Sequence, residues 1–232
     1  MQASQIRFFN DHGHVRLERF HPASRMLTVK RQLLDELRRL KAWAPGQGVS
    51  GPWRKLPLFQ QNARLSALVR LPGLHAALMP PELLATIARL ANGRLAAPQE
   101  IQLLLSPPRQ GAWTLERLNW HVDVAAEPTN RLPGIQAFVL IDDVAPQGGA
   151  TLALAGSHRA RAQGPGALST LRQTLAMSPW PAARLHDLGL SVVEMSGQAG
   201  DVVLMDMRLL HTPSVNATNA LRVMATSRVM VA

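Results

Sequence analysis

Asn119-Trp120-His121-Val122-Asp123 is the stretch on which the reading of this chain turns. It sets an imidazole and a carboxylate two residues apart. In an extended strand alternate side chains project to the same side, so His121 and Asp123 share a face and can grip one ion. A second imidazole, His211, ends the run 200–211, in which Val203, Met205, Met207 and Leu209 alternate with Asp206 and Arg208. That alternation predicts one strand over 201–210 whose apolar face His211 continues, with its side chain turned inward.

Short apolar runs punctuated by Gly and Pro surround these two stretches. Strands are predicted at 101–106, 118–124, 134–141, 151–155, 191–195, 201–210 and 221–231. The breaks are Pro107-Pro108, Pro146-Gln147-Gly148-Gly149 and Gly156-Ser157-His158-Arg159. Such spacing indicates a sandwich or barrel. Residues 160–190 read as a long excursion, with His186-Asp187 in a loop.

The N-terminal half has a different texture. Met26, Val29, Leu33, Leu37, Leu40 and Ala44 recur at helical spacing, with Ser24 as the expected N-cap. Three short helices are expected near 60–70, 73–79 and 81–91, the last opening on Pro81 and capped at Asn92-Gly93. A short strand is expected near 14–17. The Gly/Pro-rich run 45–58 follows no strand and carries no Gly-Lys-Ser/Thr, so it is not a phosphate loop. Trp53, Arg54 and Lys55 are candidates for a lid. The expected fold is α+β, mainly β: a double-stranded β-helix (jelly roll, cupin-like) with a helical N-terminal half packed on it. Residues 1–232 are read as one domain, helical over about 1–98 and jelly roll over about 99–232.

Composition narrows the chemistry. There is no cysteine, so disulfides, thiolate metal sites and cysteine nucleophiles are excluded, and His and Asp/Glu remain as metal ligands. Apolar residues make up 47% and charged residues 17%, a globular balance. The net charge of +10 comes from 22 arginines against three lysines. They are scattered rather than clustered, so no nucleic-acid partner is expected. No apolar run is long enough for a span and no signal core opens the chain, which predicts a cytoplasmic protein without a membrane. His12, His14 and His21 have polar neighbours and read as surface histidines. His75, among leucines and alanines, reads as a core-edge residue.

Two histidines and one carboxylate on a β scaffold form the ligand set of non-haem Fe(II) sites with open coordination positions. His121, Asp123 and His211 are therefore the candidate metal ligands and catalytic residues. The order Trp120-His121-Val122-Asp123, Gly148-Gly149-Ala150-Thr151-Leu152, Gly156-Ser157-His158-Arg159, Gly200-Asp201, His211 and Arg222 resembles the phytanoyl-CoA dioxygenase family. The resemblance reaches loosely to Phe8-Phe9 and Gly13, and so covers most of the chain. It implies an Fe(II)- and 2-oxoglutarate-dependent dioxygenase that uses O2 to hydroxylate, or otherwise oxidise, an unactivated C–H bond of a small molecule, releasing succinate. It implies that Arg222, 11 residues after His211, receives the distal carboxylate of 2-oxoglutarate with its planar fork. Thr151 is a candidate hydroxyl donor to the same carboxylate, and Gln102 a candidate wall of the co-substrate pocket. Asp123 separates the chain from related halogenases, which lack that carboxylate. Pro213 departs from relatives that carry a small polar residue two positions after this histidine.

The Gly156–Arg159 turn is read as a structural corner, and Asp201 as a turn residue. Arg109, Trp113 and Arg131 are expected near the barrel mouth, where the arginines would receive an anionic substrate group. Two other readings compete: a cupin-type metal enzyme that does not use 2-oxoglutarate, and a non-enzymatic basic binding protein.

Overall fold

The apolar stripe of the first long helix lands where its spacing demands. Met26, Val29, Leu33 and Leu37 are all buried, on α2 (Ala23–Arg39). The structure is a computed structural model and describes residues 1–44, 48–49, 55–116, 118–124, 131–163, 166–177 and 182–232. The lid candidates Trp53 and Arg54 lie outside these residues. α2 ends before Ala44, which belongs to a two-residue strand, β2 (Trp43–Ala44), paired with β3 (Gly48–Val49). Its N-cap is Pro22 rather than Ser24. Proline has no backbone N–H to leave unsatisfied and fits the position before a helix, which moves the cap two residues earlier than the Ser signal.

α1 (Ala3–His12) leads into β1 (His14–Leu17). α3 (Leu58–Leu68), α4 (Leu74–Leu78) and α5 (Pro81–Ala91) follow, with Pro81 in the first turn of α5 and Asn92 left-handed at its end. Then come β4 (Gln102–Ser106), β5 (Gly134–Leu140), β6 (Thr151–Ala155), a 3-10 segment at Ser157–Gln163, α6 (Ala167–Met177), α7 (Ala182–Asp187), β7 (Ser191–Glu194), β8 (Val202–Asp206), β9 (His211–Pro213) and β10 (Arg222–Met230). The 160–190 excursion is thus partly helical, and His186-Asp187 close α7 instead of lying in a loop.

A five-stranded sheet, ordered β1-β8-β5-β10-β4, faces a three-stranded sheet, β7-β6-β9, and all their pairings are antiparallel. The outer residues Ile135, Ala137, Val139, Val202, Leu204, Val223 and Ala225 pack under α2 to α5. The inner residues Phe138, Leu140, Val203, Met205 and Met224 meet Ala153 and Met195. The outer side of β6 packs Leu152 and Leu154 against Leu171, Leu175 and Leu185 of α6 and α7. β5 is buried at every position because it is covered on both faces.

The expected single strand over 201–210 is a shorter strand, β8, followed by a turn at 207–210, and the chain re-enters the other sheet as β9 only at His211. β8 stops at Asp206, whose backbone oxygen accepts the Leu209 N–H at 2.9 Å. Its carboxylate takes the Arg208 N–H at 2.9 Å and the guanidinium Nη2 at 2.7 Å. This tied corner moves the chain from one sheet to the other before His211. Among the described residues no helix is long and apolar enough to cross a membrane.

Candidate metal and co-substrate site

Each imidazole is delivered by a short piece of backbone fixed to the other. His121 and His211 face each other as an antiparallel pair, with N–H to O distances of 3.0 and 2.9 Å. The strand expected over 118–124 reduces to this one bridge. The next hydrogen-bonded pairs would be 119 with 213 and 123 with 209. Pro213 has no N–H to give, and the Leu209 N–H is already spent on Asp206, so the ladder cannot lengthen in either direction. Alternation survives without the strand. Trp120 and Val122 pack into the apolar layer outside the small sheet, and His121 and Asp123 turn the other way.

The ring Nδ1 of His121 lies 2.8 Å from the Asn119 carbonyl oxygen, and that of His211 lies 3.0 Å from that of Leu209. A carbonyl only accepts, so Nδ1 carries the proton in both rings and each Nε2 presents its lone pair. Burial pushes the His211 pKa down, against the smaller opposing pulls of the Leu209 carbonyl and Asp123, which favours the neutral ring a metal needs. The ring centroids are 4.4 Å apart. Asp123 Oδ2 is 3.5 Å from His211 Nε2, and one ligand atom from each of the three residues lies within 4.8 Å of the others. Two lone pairs and a carboxylate at this separation, held by carbonyls behind them, suit a divalent ion with nitrogen and oxygen preference. Asp123 also receives Arg228, whose Nε and Nη2 donate to Oδ2 and Oδ1 at 3.1 and 2.9 Å.

Arg222 opens β10 directly opposite Ser106 of β4. It is only 5% exposed, and burial pulls its pKa down to about 10, which leaves it cationic at neutral pH. Its Nη1 donates to the Gly149 carbonyl, and its Nε has no partner. None of the described carboxylates pairs with it. A buried guanidinium without an anion is costly, so the arrangement suits a carboxylate that arrives with a ligand. Arg222 and His121 line one cavity of about 1350 Å³, together with Gln102, Gln110, Asn62 and Pro213. Its polar end is knit together: Ser106 Oγ donates to Gln110 Oε1 at 2.9 Å, and Gln110 Nε2 donates to Asn62 Oδ1 at 2.7 Å. Much of the opposite wall is apolar, from Leu58, Phe59, Ala63 and Ala67 of α3 and from Leu71 and Leu74.

Thr151 is buried across from Pro213, on the same face as Ala153 and His211, but it is not among the residues lining this cavity. Gln102 lines the cavity from an exposed position on β4. Neither Arg109 nor Arg131 lines it. Arg109 binds Asn219 at 2.7 Å and Arg131 the Ala232 carbonyl at 2.9 Å, while Trp113 packs beside the outer layer. Both arginines are tied to chain segments closer than any mouth.

The Gly156–Arg159 turn locks elements together. Ser157 Oγ accepts the Leu210 N–H at 2.9 Å, and His158 Nε2 reaches the Asn10 carbonyl at 3.0 Å. His14 and His21, expected on the surface, are buried; only His12 is exposed. His14 begins an edge strand paired with Met205, and the His21 N–H donates to the Gly200 carbonyl at 3.0 Å, so strand closure outweighs their polar neighbours. His75 is half-buried and lines the cavity. Asp201 accepts the backbone N–H groups of Arg19 and Gln198, which is turn work.

Arg228 escaped the sequence reading, although its signal was available. Positions 222, 224, 226 and 228 of one strand share a face, so an arginine six residues past Arg222 had to point inward. Ser106, Gln110 and Asn62 carried no such signal, because they meet from separate segments.

A jelly roll that brings two imidazoles and one carboxylate together, beside a cavity lined by His121 and a buried arginine, defines the class of non-haem iron, 2-oxoglutarate-dependent oxygenases. The family model for phytanoyl-CoA dioxygenase (PhyH) matches residues 9–224, and the chain belongs to that family. The protein is accordingly an Fe(II)- and 2-oxoglutarate-dependent oxygenase. No curated protein sequence matches it. Among solved structures it is similar to the non-haem α-ketoglutarate-dependent carbocyclase SnoK from nogalamycin biosynthesis, at 20% identity and TM-score 0.66, over 100% of this chain and 85% of that one. It is also similar to EctD from S. alaskensis with 2-oxoglutarate and 5-hydroxyectoine, at 19% identity and TM-score 0.62, over 100% and 76%. A third is the α-ketoglutarate-dependent epimerase SnoN from nogalamycin biosynthesis, at 18% identity and TM-score 0.61, over 99% and 82%.

Proposed function

We propose that His121, Asp123 and His211 hold Fe(II), and that Arg222 receives the distal carboxylate of 2-oxoglutarate. The observation that carries the second assignment is Arg222 itself, buried beside the same cavity with no carboxylate partner among the described residues. Iron with 2-oxoglutarate and O2 supplies the oxidation of a substrate C–H bond, with 2-oxoglutarate leaving as succinate and CO2. The protein's residues do the rest. The two Nδ1–carbonyl bonds keep both Nε2 atoms aimed at one point. Asp123 would contribute a single negative charge, and with the two neutral imidazoles it would hold the ion through three protein ligands and leave room for co-substrate and oxidant. Arg222 orients the co-substrate by a planar, charge-assisted pairing.

Thr151 and Gln102 are proposed in lesser roles. Thr151, buried at the start of β6, is proposed as a hydroxyl donor to the same 2-oxoglutarate carboxylate, and Gln102, which lines the cavity, as a wall of the co-substrate pocket. The substrate is proposed to be a small molecule with an apolar body, because α3 and the 69–74 segment give that wall aliphatic and aromatic side chains. We read 1–232 as one catalytic domain, since pairing of β1 with β8 ties its N-terminal part to its C-terminal part, and propose the cytoplasm as its location.

Anaerobic addition of Fe(II) and 2-oxoglutarate to metal-free protein tests the assignments through the visible charge-transfer band of the chelate. The band is expected for wild type, absent in Asp123→Ala and His211→Ala, and shifted to at least tenfold higher 2-oxoglutarate concentration in Arg222→Met. A full band in either ligand variant removes that residue from the metal.

A further inference from the structure

We propose that Arg228 is the positioning residue of the metal site: its guanidinium fork sets the orientation of the Asp123 carboxylate and so makes it a one-oxygen ligand. This rests on the assignment of Asp123 to the metal. Backbone pairing does not orient that carboxylate, because the ladder on this stretch stops at His121, two residues earlier. The fork does. Nε reaches Oδ2 at 3.1 Å and Nη2 reaches Oδ1 at 2.9 Å, so each oxygen accepts one N–H and the plane of the carboxylate is fixed.

A carboxylate has about four acceptor sites, and two of them are taken. One lone pair per oxygen remains. Oδ2 is the atom held 3.5 Å from His211 Nε2, on the side of the imidazoles. With Oδ1 drawn toward Arg228, a two-oxygen grip on the ion is disfavoured, and a coordination position that such a grip would occupy stays open.

The fork is mounted on a rigid part of the molecule. Arg228 lies on β10 opposite Gln136 of β5, and β10 pairs with both β5 and β4. Arg222 and Arg228 share one face of that strand. A single strand therefore carries both the arginine proposed for the 2-oxoglutarate carboxylate and the arginine that aims the metal's carboxylate. The side chains of Asp123 and Arg228 are 10% and 34% exposed, so the pair is shielded without being sealed, and the cation offsets the burial of Asp123 before an ion arrives.

The test compares wild type, Arg228→Lys and Arg228→Met as metal-free protein without oxygen. Lysine keeps the charge and loses the fork. Thermal unfolding of the metal-free proteins reports folding, Fe(II) titration reports affinity, and the visible absorption of Co(II)-loaded protein reports coordination geometry. For Arg228→Lys the expected result is a melting temperature near that of wild type, Fe(II) affinity lowered at least about tenfold, and an altered Co(II) spectrum. Arg228→Met should behave likewise; if it does not fold, the lysine variant decides. Wild-type affinity in Arg228→Lys overturns the proposal, and so does weakened affinity with an unchanged Co(II) spectrum, since the carboxylate would then be correctly aimed without the fork. Failure of wild-type protein to bind Fe(II) or Co(II) would instead retire the ligand assignment, and this inference with it.

Discussion

Arg222 brings a charge into the interior and leaves its Nε without a partner. An arginine in that position costs stability in the free protein and returns it when an anion binds. Arg222→Met keeps much of the side-chain volume without the charge. The metal-free variant is expected to be at least as stable as wild type, by up to roughly 1–3 kcal/mol in urea unfolding. In the presence of a divalent ion, 2-oxoglutarate should raise the melting temperature of wild type and not of the variant. A variant that is several kcal/mol less stable without ligand would show that Arg222 is satisfied by the protein alone. His121 and His211 are set instead by hydrogen bonds to their own neighbours. Their Nδ1 protons are bound to carbonyls two residues back, so the sequence neighbourhood of each ring sets its tautomer.

At the scale of elements, the turn before β6 matters as much as the strands. Gly149 has φ of +77°, and a Cβ there would meet the Asn216 Cβ at 2.8 Å and Ser106 Oγ at 3.1 Å. Its carbonyl is the one Arg222 uses. Gly149→Ala should therefore cost about 1–3 kcal/mol of stability, from a strained backbone and a crowded interior. It should also weaken 2-oxoglutarate binding, because the carbonyl that aims the guanidinium moves. Equilibrium unfolding and the charge-transfer titration measure the two effects separately. Unchanged 2-oxoglutarate affinity in a destabilised variant would mean that the turn does not position Arg222. The corner between β8 and β9 is a similar device: the Asp206–Arg208 contacts end one strand and start another in the facing sheet, which carries His211 to His121.

The whole molecule keeps three histidines away from the metal site buried: His14, His21 and His158. Burial is the main cause lowering each pKa below 6.5, and His21 is pulled down to about 4. The unfolded chain protonates them near 6.5 and the folded chain does not. Their contribution to stability is present above that pH and is lost as pH falls below it toward the folded values. Glu194, raised by burial, works in the opposite direction but is one group against these three and, in metal-free protein, His211 as well. The melting temperature of metal-free protein is expected to drop by on the order of 5 °C or more between pH 7.5 and 5. A flat profile over that range would mean that these rings are protonated in the folded state at no cost.

Periodicity determined many of the local elements, though not α6 and α7 in the 160–190 excursion. The 3–4 spacing of Met26, Val29, Leu33 and Leu37 gave α2, and the Gly/Pro breaks gave most strands nearly to the residue, because local sterics and one-sided burial act within a few positions. The two-residue spacing of His121 and Asp123, with His211 and Arg222, made the ligand set legible because those side chains lie on extended backbone. What local pattern could not convey was which groups compete for the same backbone partners. The strand around His121 shrank to one bridge because Pro213 lacks an N–H and Leu209 had already given its own to Asp206. The run to His211 broke into two sheets at a corner closed by Asp206 and Arg208. His14 and His21 went inside because strand pairing at β1 and the backbone hydrogen bond from His21 to Gly200 outweighed their polar flanks. Arg228 met Asp123 across 105 residues of chain. Hydrogen-bond competition and long-range approach are properties of the folded whole, and the tertiary structure alone decided them.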